Sequence, residues 1–386
     1  MRTIGVVTAA RSDYGIYLPL LRSIAADPDL DLYLIVSGMH LSLEFGNTID
    51  TILADGFAVD AEVDLLLSGD TPAAISKSMG LGLIGYAQAY ARRQPDILVL
   101  LGDRFEMHAA GLAALPFRIP VAHIHGGELT TGAIDDALRH SLTKLSHLHF
   151  VTTPDYARRV AQLGEHPEHI HVSGSLSLAN LATIDFLSSD ELEAQYGVPT
   201  DPAPLLATFH PATLEYDQAA QQFGELLAAL EELHVPVVFT LPNADTGGRA
   251  LIKMTAAFVD RHPWAWRVKN FGTQGYFSMM KHAAAMVGNS SSGIIEAASF
   301  GLPVVNIGNR QRGRVRGANV IDVLTGQADI VAGLHQALSP EFKTKLKAVA
   351  NPYDQGNAAV IITKVLKTVS LGPDLIHKTF NDMDFA

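Results

Sequence analysis

Short apolar runs rich in β-branched residues recur along this chain at regular intervals, and the stretches between them have helical character. TIGVVTA (3–9), LDLYLIVSG (30–38), DILVLLG (96–102), PVAHIHG (120–126), HLHFVT (147–152) and HIHVSG (169–174) form a first series. LLATFH (205–210), VPVVFTLP (235–242), AAAMVGN (283–289) and GLPVVNIG (301–308) form a second. Segments such as YLPLLRSIAA (17–26) and QQFGELLAALEEL (221–233) separate them. A strand that is apolar on nearly every residue must be covered on both faces, which is the condition of a parallel sheet flanked by helices. The pattern therefore predicts an α/β chain built from doubly wound parallel sheets.

With 386 residues the chain is long for one core, and two domains are expected. The linker-like segment 175–204 divides the two series. Domains are predicted at 1–180 and 181–370, with a tail at 371–386. The amphipathic stretch GNAAVIITKVLKTVS (356–370) falls in the second domain on this reading. The halves share an architecture without a residue-level repeat.

Forty acidic against 28 basic side chains give a net charge of −12, which argues against nucleic acid or a membrane surface as the main partner. The absence of cysteine removes disulfides, thiolate metal sites and cysteine nucleophiles. No apolar segment approaches the length of a transmembrane helix, and the apolar run before Arg11 is too short for a signal peptide. A cytoplasmic protein is expected.

In open parallel sheets ligands bind beyond the carboxyl ends of the strands. The polar clusters lie there in both halves: ARSDYG, GDRFE and HIHGGE in the first, HPATLE, LPNADTGG and GNSSSGIIE in the second. Two such sheets facing each other would close a cleft lined by these loops. Ser290, Ser291 and Ser292 precede an apolar helix-like run, where capping serines belong. Backbone amides and a positive helix end there suit a phosphate, and Glu296, one turn inside, suits a ribose diol. An ordinary helix cap explains the serines equally well. Arg310, Arg312, Arg314 and Arg316 crowd seven residues of an acidic chain. They read either as a solvated charge run or as anion ligands, and Arg11 could reach the same anion.

The stretch 121–140 gathers His123, His125, Glu128, Asp135, Asp136, Arg139 and His140. Zinc is not expected at His123 and His125, because the chain has neither an HExxH motif nor any cysteine to complete a ligand set. A magnesium site from Asp103, Asp135 and Asp136 has no specific spacing behind it. Proton transfer is the other reading: Asp103, His125, Glu128, Asp135 and Asp136 would gather near one crevice, where repulsion and burial would raise the carboxylate pKa values towards neutrality. A plainer reading has the aspartates capping a helix in which Arg139 and His140 complete i,i+4 pairs.

Taken together, ARSDYG, LLGDRFE, HIHGGE…IDDALRHSLTKLSHLHF, FHP, PNADTG, GNSSSGIIE and NIGNRQRGRVRG resemble the hydrolysing UDP-N-acetylglucosamine 2-epimerases of bacterial sialic-acid synthesis. The resemblance is collinear from the first strand to about residue 320. It implies a GT-B-like fold of two Rossmann-like domains with the active site in the interdomain cleft, in a homodimer or homotetramer, with no cofactor and no obligatory metal. The reaction it implies is loss of the C2 proton and anti elimination of UDP. Hydration of the glycal then gives N-acetylmannosamine. Arg11, His210, Asn243, Ser290, Ser291, Glu296 and Arg310 stand where the family contacts UDP, and Asp103 and Asp135 match its essential acids. One position departs: where many members carry a glutamate, this chain has His125, and its nearest glutamate is Glu128. Either His125 takes the proton-transfer role or Glu128 reaches in. A sister group, carrying the same motifs, acts on UDP-N,N′-diacetylbacillosamine, and a GT-B glycosyltransferase is a more remote alternative.

Overall fold

Thirteen parallel strands form two sheets in the computed structural model, which describes every residue except Phe45, Asp70, 132–133, 212–216, 242–247, 347–348 and 383–386. The first sheet holds β1 (Arg2–Thr8), β2 (Leu30–Ser37), β3 (Ala61–Val63), β4 (Ile97–Leu101), β5 (Val121–Ile124), β6 (Leu148–Val151) and β7 (Ile170–Val172), in the order β3-β2-β1-β4-β5-β6-β7. The second holds β8 (Leu205–Thr208), β9 (Val237–Thr240), β10 (Ala265–Val268), β11 (Ala285–Gly288), β12 (Val304–Ile307) and β13 (Val320–Val323), in the order β10-β9-β8-β11-β12-β13. Strand order reverses between β1 and β4 in one sheet and between β8 and β11 in the other. These are the switch points at which open α/β sheets bind ligands.

The apolar strands are covered on both faces, as their composition requires. On β1, Ile4 and Val6 pack with Leu20, Ile24, Ile362 and Leu366. Val7, on the opposite face, packs with Tyr86, Tyr90, Met107 and Ala110. The second sheet has its own core, in which Leu205, Val237 and Val287 meet Phe223, Phe258 and Leu334. Three strands carry no long apolar run: β3, β10 and β13. Each is a sheet edge, and residues such as Glu62, Arg267 and Asp322 are exposed, so the composition signal is absent there.

The chain divides into one unit of Met1–Glu128, Asp135–Ala182 and Tyr353–Ala386, and a second of Leu129–Ile134 and Thr183–Pro352. The helix Ala358–Thr368, expected in the second domain, belongs to the first unit. Its apolar face packs on the helix Arg11–Ala26, Thr363 Oγ1 donates to Ser23 Oγ at 2.8 Å, and Lys367 pairs with Asp27 at 2.9 Å. The tail is also tied down in this unit: Lys378 Nζ lies 2.6 Å from the buried carboxylate of Glu165, which Lys144 meets at 2.7 Å and His149 at 2.9 Å. Burial alone would raise the Glu165 carboxyl, but the bonds from His149, Lys144 and Lys378 outweigh it and hold it at about 2. No described helix is long and apolar enough to cross a membrane.

Candidate active site

In the first unit the strand ends carry a buried ionic cluster. β5 stops at Ile124, and His125 turns away with a φ of 66°, a left-handed conformation that histidine tolerates better than most residues with a side chain. Gly127 follows with φ 76°, and a Cβ there would stand 2.6 Å from the Tyr156 carbonyl, so only glycine fits. This tight turn carries Glu128 inward until its side chain is 1% exposed. Thr152 Oγ1 donates to Glu128 Oε1 at 3.1 Å, and His125 Nδ1 lies 3.7 Å from the same oxygen.

Arg139 is the hub of the cluster. It sits on the inward face of the helix Asp135–Leu145 with Leu142 and Thr143, and is 2% exposed. Its Nη1 donates to the His125 carbonyl at 2.8 Å and stands 3.8 Å from Glu128 Oε2, while Nη2 donates to the Asp103 carboxylate. Asp103, at the end of β4, is thereby joined to His125 and Glu128 from the end of β5. The expected crowding of uncompensated carboxylates is therefore not what folds, because a buried guanidinium stands between two of them. Of the two i,i+4 pairs expected on this helix, Asp136 and His140 approach to 3.7 Å, and Arg139 points inward to Asp103 and the His125 carbonyl. Asp135 opens the helix, four residues before Arg139, and is partly buried.

His123 lies beneath this cluster. Its Nε2 donates to the Gly102 carbonyl at 2.7 Å, Nδ1 lies 3.1 Å from Thr143 Oγ1, and burial pushes the ring down to about 3. It is a neutral structural group. Because His125 lies past the strand with positive φ, simple alternation does not describe the pair. His123 is unsuited to a metal because both its nitrogens are engaged. Among the described residues no group of three or more histidines, cysteines or acids could hold a metal ion.

At the end of β1, Asp13 accepts from Thr8 Oγ1 at 2.7 Å and from the amides of Ala9 and Ala10 at 3.0 Å, with His40 Nε2 at 3.8 Å. Burial would raise this carboxyl, yet the contacts with His40, Ala9 and Thr8 hold it low. The network fixes the start of the helix Arg11–Ala26, at which Arg11 is exposed.

In the second unit the switch point carries the serine turn. Ser290 caps the helix Ser291–Ile295 and accepts from Ser292 N at 3.3 Å. That helix has five residues, and Glu296 is its buried C-cap rather than a residue one turn inside a longer helix. So short a helix carries little macrodipole. What the turn offers an anion is hydroxyls and Arg310, whose Nη1 donates to the Asn289 carbonyl at 3.0 Å. His210 stands at the end of the adjacent strand, its amide bonded to Asn289 Oδ1 at 2.7 Å. The arginine run divides: Arg314 donates to the Leu129 carbonyl at 3.1 Å and Arg316 pairs with Asp322 at 3.1 Å, while Arg312 is exposed. Asn243 lies outside the described residues.

Sequence reasoning missed Arg139 as a site residue, although an arginine in register with Leu142 and Thr143 on an amphipathic helix was a usable signal. It also missed Tyr276, on the helix Gly272–His282, which brings its hydroxyl to Ser290, Ser292 and Thr208. Withdrawal from water pushes that hydroxyl up, and the charge of Glu296 adds to the shift.

Two Rossmann-like sheets, each with polar loops at its switch point, define a GT-B-like fold. The Staphylococcus aureus MnaA–UDP co-structure has this fold, with a TM-score of 0.81 at 16% identity over 100% of both chains. The chain belongs to the UDP-N-acetylglucosamine 2-epimerase family, whose profile matches residues 22–367, and is thereby an enzyme of the UDP-sugar 2-epimerase class. It is 36% identical to the UDP-N,N′-diacetylbacillosamine 2-epimerase (hydrolyzing) of Legionella pneumophila, over 98% of this chain and 99% of that one. It is 38% identical to the GDP/UDP-N,N′-diacetylbacillosamine 2-epimerase (hydrolyzing) of Campylobacter jejuni, over 99% of each.

Proposed function

We propose that this chain is a hydrolysing 2-epimerase acting on UDP-N,N′-diacetylbacillosamine, releasing UDP and the free sugar inverted at C2. The observation that carries the choice of sugar is end-to-end similarity to two hydrolysing enzymes of that substrate. It favours the second of the two substrates that the motifs allow over UDP-N-acetylglucosamine, which would give N-acetylmannosamine for sialic-acid synthesis. The family description, which names UDP-N-acetylglucosamine, keeps that sugar as the second reading.

The reaction needs a base for the C2 proton and a proton donor for the departing UDP or the glycal. Asp103, His125, Glu128 and Asp135 take these roles in this reading. His125 is the better candidate for the base, because a neutral imidazole offers a ring nitrogen that can accept a proton. Glu128 is committed to Thr152 and Arg139 and braces the turn. Arg11, His210, Asn243, Ser290, Ser291, Glu296 and Arg310 hold the nucleotide. No cofactor enters this scheme, and the enzyme works in the cytoplasm as a homodimer or homotetramer.

The test is turnover of the two UDP-sugars side by side, without added NAD or metal. Faster release of UDP and free sugar from UDP-N,N′-diacetylbacillosamine supports the proposal. Preference for UDP-N-acetylglucosamine transfers it to the second reading. UDP release only on addition of an acceptor would make the protein a glycosyltransferase.

A further inference from the structure

Asn289 and Gln311 are almost completely buried, 3% and 1% exposed, beside loops whose other residues are read as ligands. Gly288 precedes Asn289 with φ 133°, and a Cβ there would stand 1.9 Å from the Thr208 carbonyl, so β11 presses on β8 as only glycine permits. Asn289 N donates to Thr208 O at 3.0 Å. Its side chain then does what a further residue of strand would do. Oδ1 accepts from His210 N at 2.7 Å and Nδ2 donates to His210 O at 2.8 Å. A side-chain amide presents the same donor and acceptor as a peptide, so Asn289 prolongs the β8–β11 ladder past the end of β8.

The carbonyl of the same residue accepts from Arg310 Nη1 at 3.0 Å and from Gln311 Nε2 at 2.9 Å, both on the loop after β12. One residue thus joins the carboxyl ends of three neighbouring strands, β8, β11 and β12. Each carries part of the expected nucleotide site: His210, the serines and Arg310. The other end of the Gln311 amide, Oε1, is buried without a hydrogen-bond partner among the described residues. A buried, unpaired oxygen does not stabilise a fold. Gln311 is therefore present for its donor end, which fixes the Asn289 carbonyl and the arginine beside it.

We infer that Asn289, supported by Gln311, is a positioning residue for nucleotide binding, setting His210, the serine turn and Arg310 in one arrangement before the ligand arrives. The inference rests on the reading of this unit as the UDP-binding unit. Both side chains are too buried to touch a ligand and act through the His210 backbone and the Arg310 guanidinium. Preset groups lose less freedom on binding, so loosening them weakens affinity without removing a ligand contact.

The experiment is calorimetric titration of UDP into the full chain, with the unfolding midpoint measured alongside. Five proteins are compared: the parent, Arg310→Ala, Asn289→Ala, Gln311→Met and the Asn289→Ala/Arg310→Ala double variant. Asn289→Ala should weaken UDP binding roughly tenfold or more, the scale of one or two hydrogen bonds. It should weaken it much less in the Arg310→Ala background, because part of its effect passes through that arginine. Gln311→Met keeps the side-chain length and removes an unpaired oxygen. It should lower UDP affinity severalfold while leaving the unfolding midpoint unchanged or raised, a combination that a merely structural role does not produce. If Asn289→Ala fails to fold, Gln311→Met decides the matter. Parent-like affinity in Asn289→Ala and Gln311→Met while Arg310→Ala binds weakly would overturn the inference alone. A parent protein that does not bind UDP would overturn the reading of the unit, and the inference with it.

Discussion

Replacing Arg139 by methionine keeps the buried stem and removes the guanidinium at the centre of the first unit's cluster. Three groups lose a partner: the Asp103 carboxylate, the His125 carbonyl at 2.8 Å and Glu128 Oε2 at 3.8 Å. The Asp103 side chain is 20% exposed and can be rehydrated, but that of Glu128 is 1% exposed and cannot. Removing a counter-charge from a buried carboxylate costs about 3–5 kcal/mol. The orphaned carbonyl adds about 1–3 kcal/mol on its own, but the two losses share one relaxation and do not sum. Arg139→Met should therefore destabilise the protein by about 4 kcal/mol, a large share of the ~5–15 kcal/mol typical of a folded protein. The assay is urea unfolding at pH 7.5, followed by circular dichroism. If the loss comes from the stranded carboxylate, Glu128→Gln in the Arg139→Met background removes that charge and should return about 2 kcal/mol, within the usual range for coupled neighbours. A single variant within about 1 kcal/mol of the parent, well short of a broken buried pair, would refute the reasoning. So would a double variant that simply adds the two separate losses.

His125→Asn suits the left-handed backbone at this position, where asparagine is also tolerated. It and Asp103→Asn should each lower kcat by roughly a hundredfold, with UDP affinity nearly unchanged, and Glu128→Gln should lower it less. Steady-state kinetics of the three check this, and an inactive Glu128→Gln beside a normal His125→Asn would reverse the assignment. Ser290→Ala and Ser291→Ala should each weaken UDP binding by about 1–3 kcal/mol, and calorimetry showing parent-like affinity for both would remove the serine turn from the site. Burial holds His123 down to about 3 and His147 to about 4, against an ordinary 6.5. The unfolded chain therefore takes up their protons first. Stability is full above about pH 6.5 and falls as the pH drops towards those values, by up to about 1.4 kcal/mol per pH unit for each ring. A thermal midpoint no lower at pH 5 than at pH 7.5 would contradict this.

The parallel sheets were legible because a strand covered on both faces must be apolar at nearly every position, as Val6, Val99 and Ala122 are. The edge strands β3, β10 and β13 were not, because Glu62, Arg267 and Asp322 face water. The placement of Ala358–Thr368 was also hidden: an amphipathic helix declares that one face is buried, not which sheet buries it. The loops at the strand ends were visible as clusters of glycine, serine and charge. The bonds that organise them were not. Arg139 reaches Asp103 over 36 residues, and Asn289 reaches His210 over 79, distances at which one sequence alone carries no pairing signal.

The central claim is that this chain removes the C2 proton, expels UDP and hydrates the product. Turnover of UDP-N,N′-diacetylbacillosamine in deuterium oxide, followed by proton NMR of the sugar, tests it most directly. The account predicts free UDP and a free sugar inverted at C2, with deuterium at C2 in every turnover and loss of both in Asp103→Asn. A product that remains joined to UDP, or a released sugar that keeps its C2 proton, would contradict it.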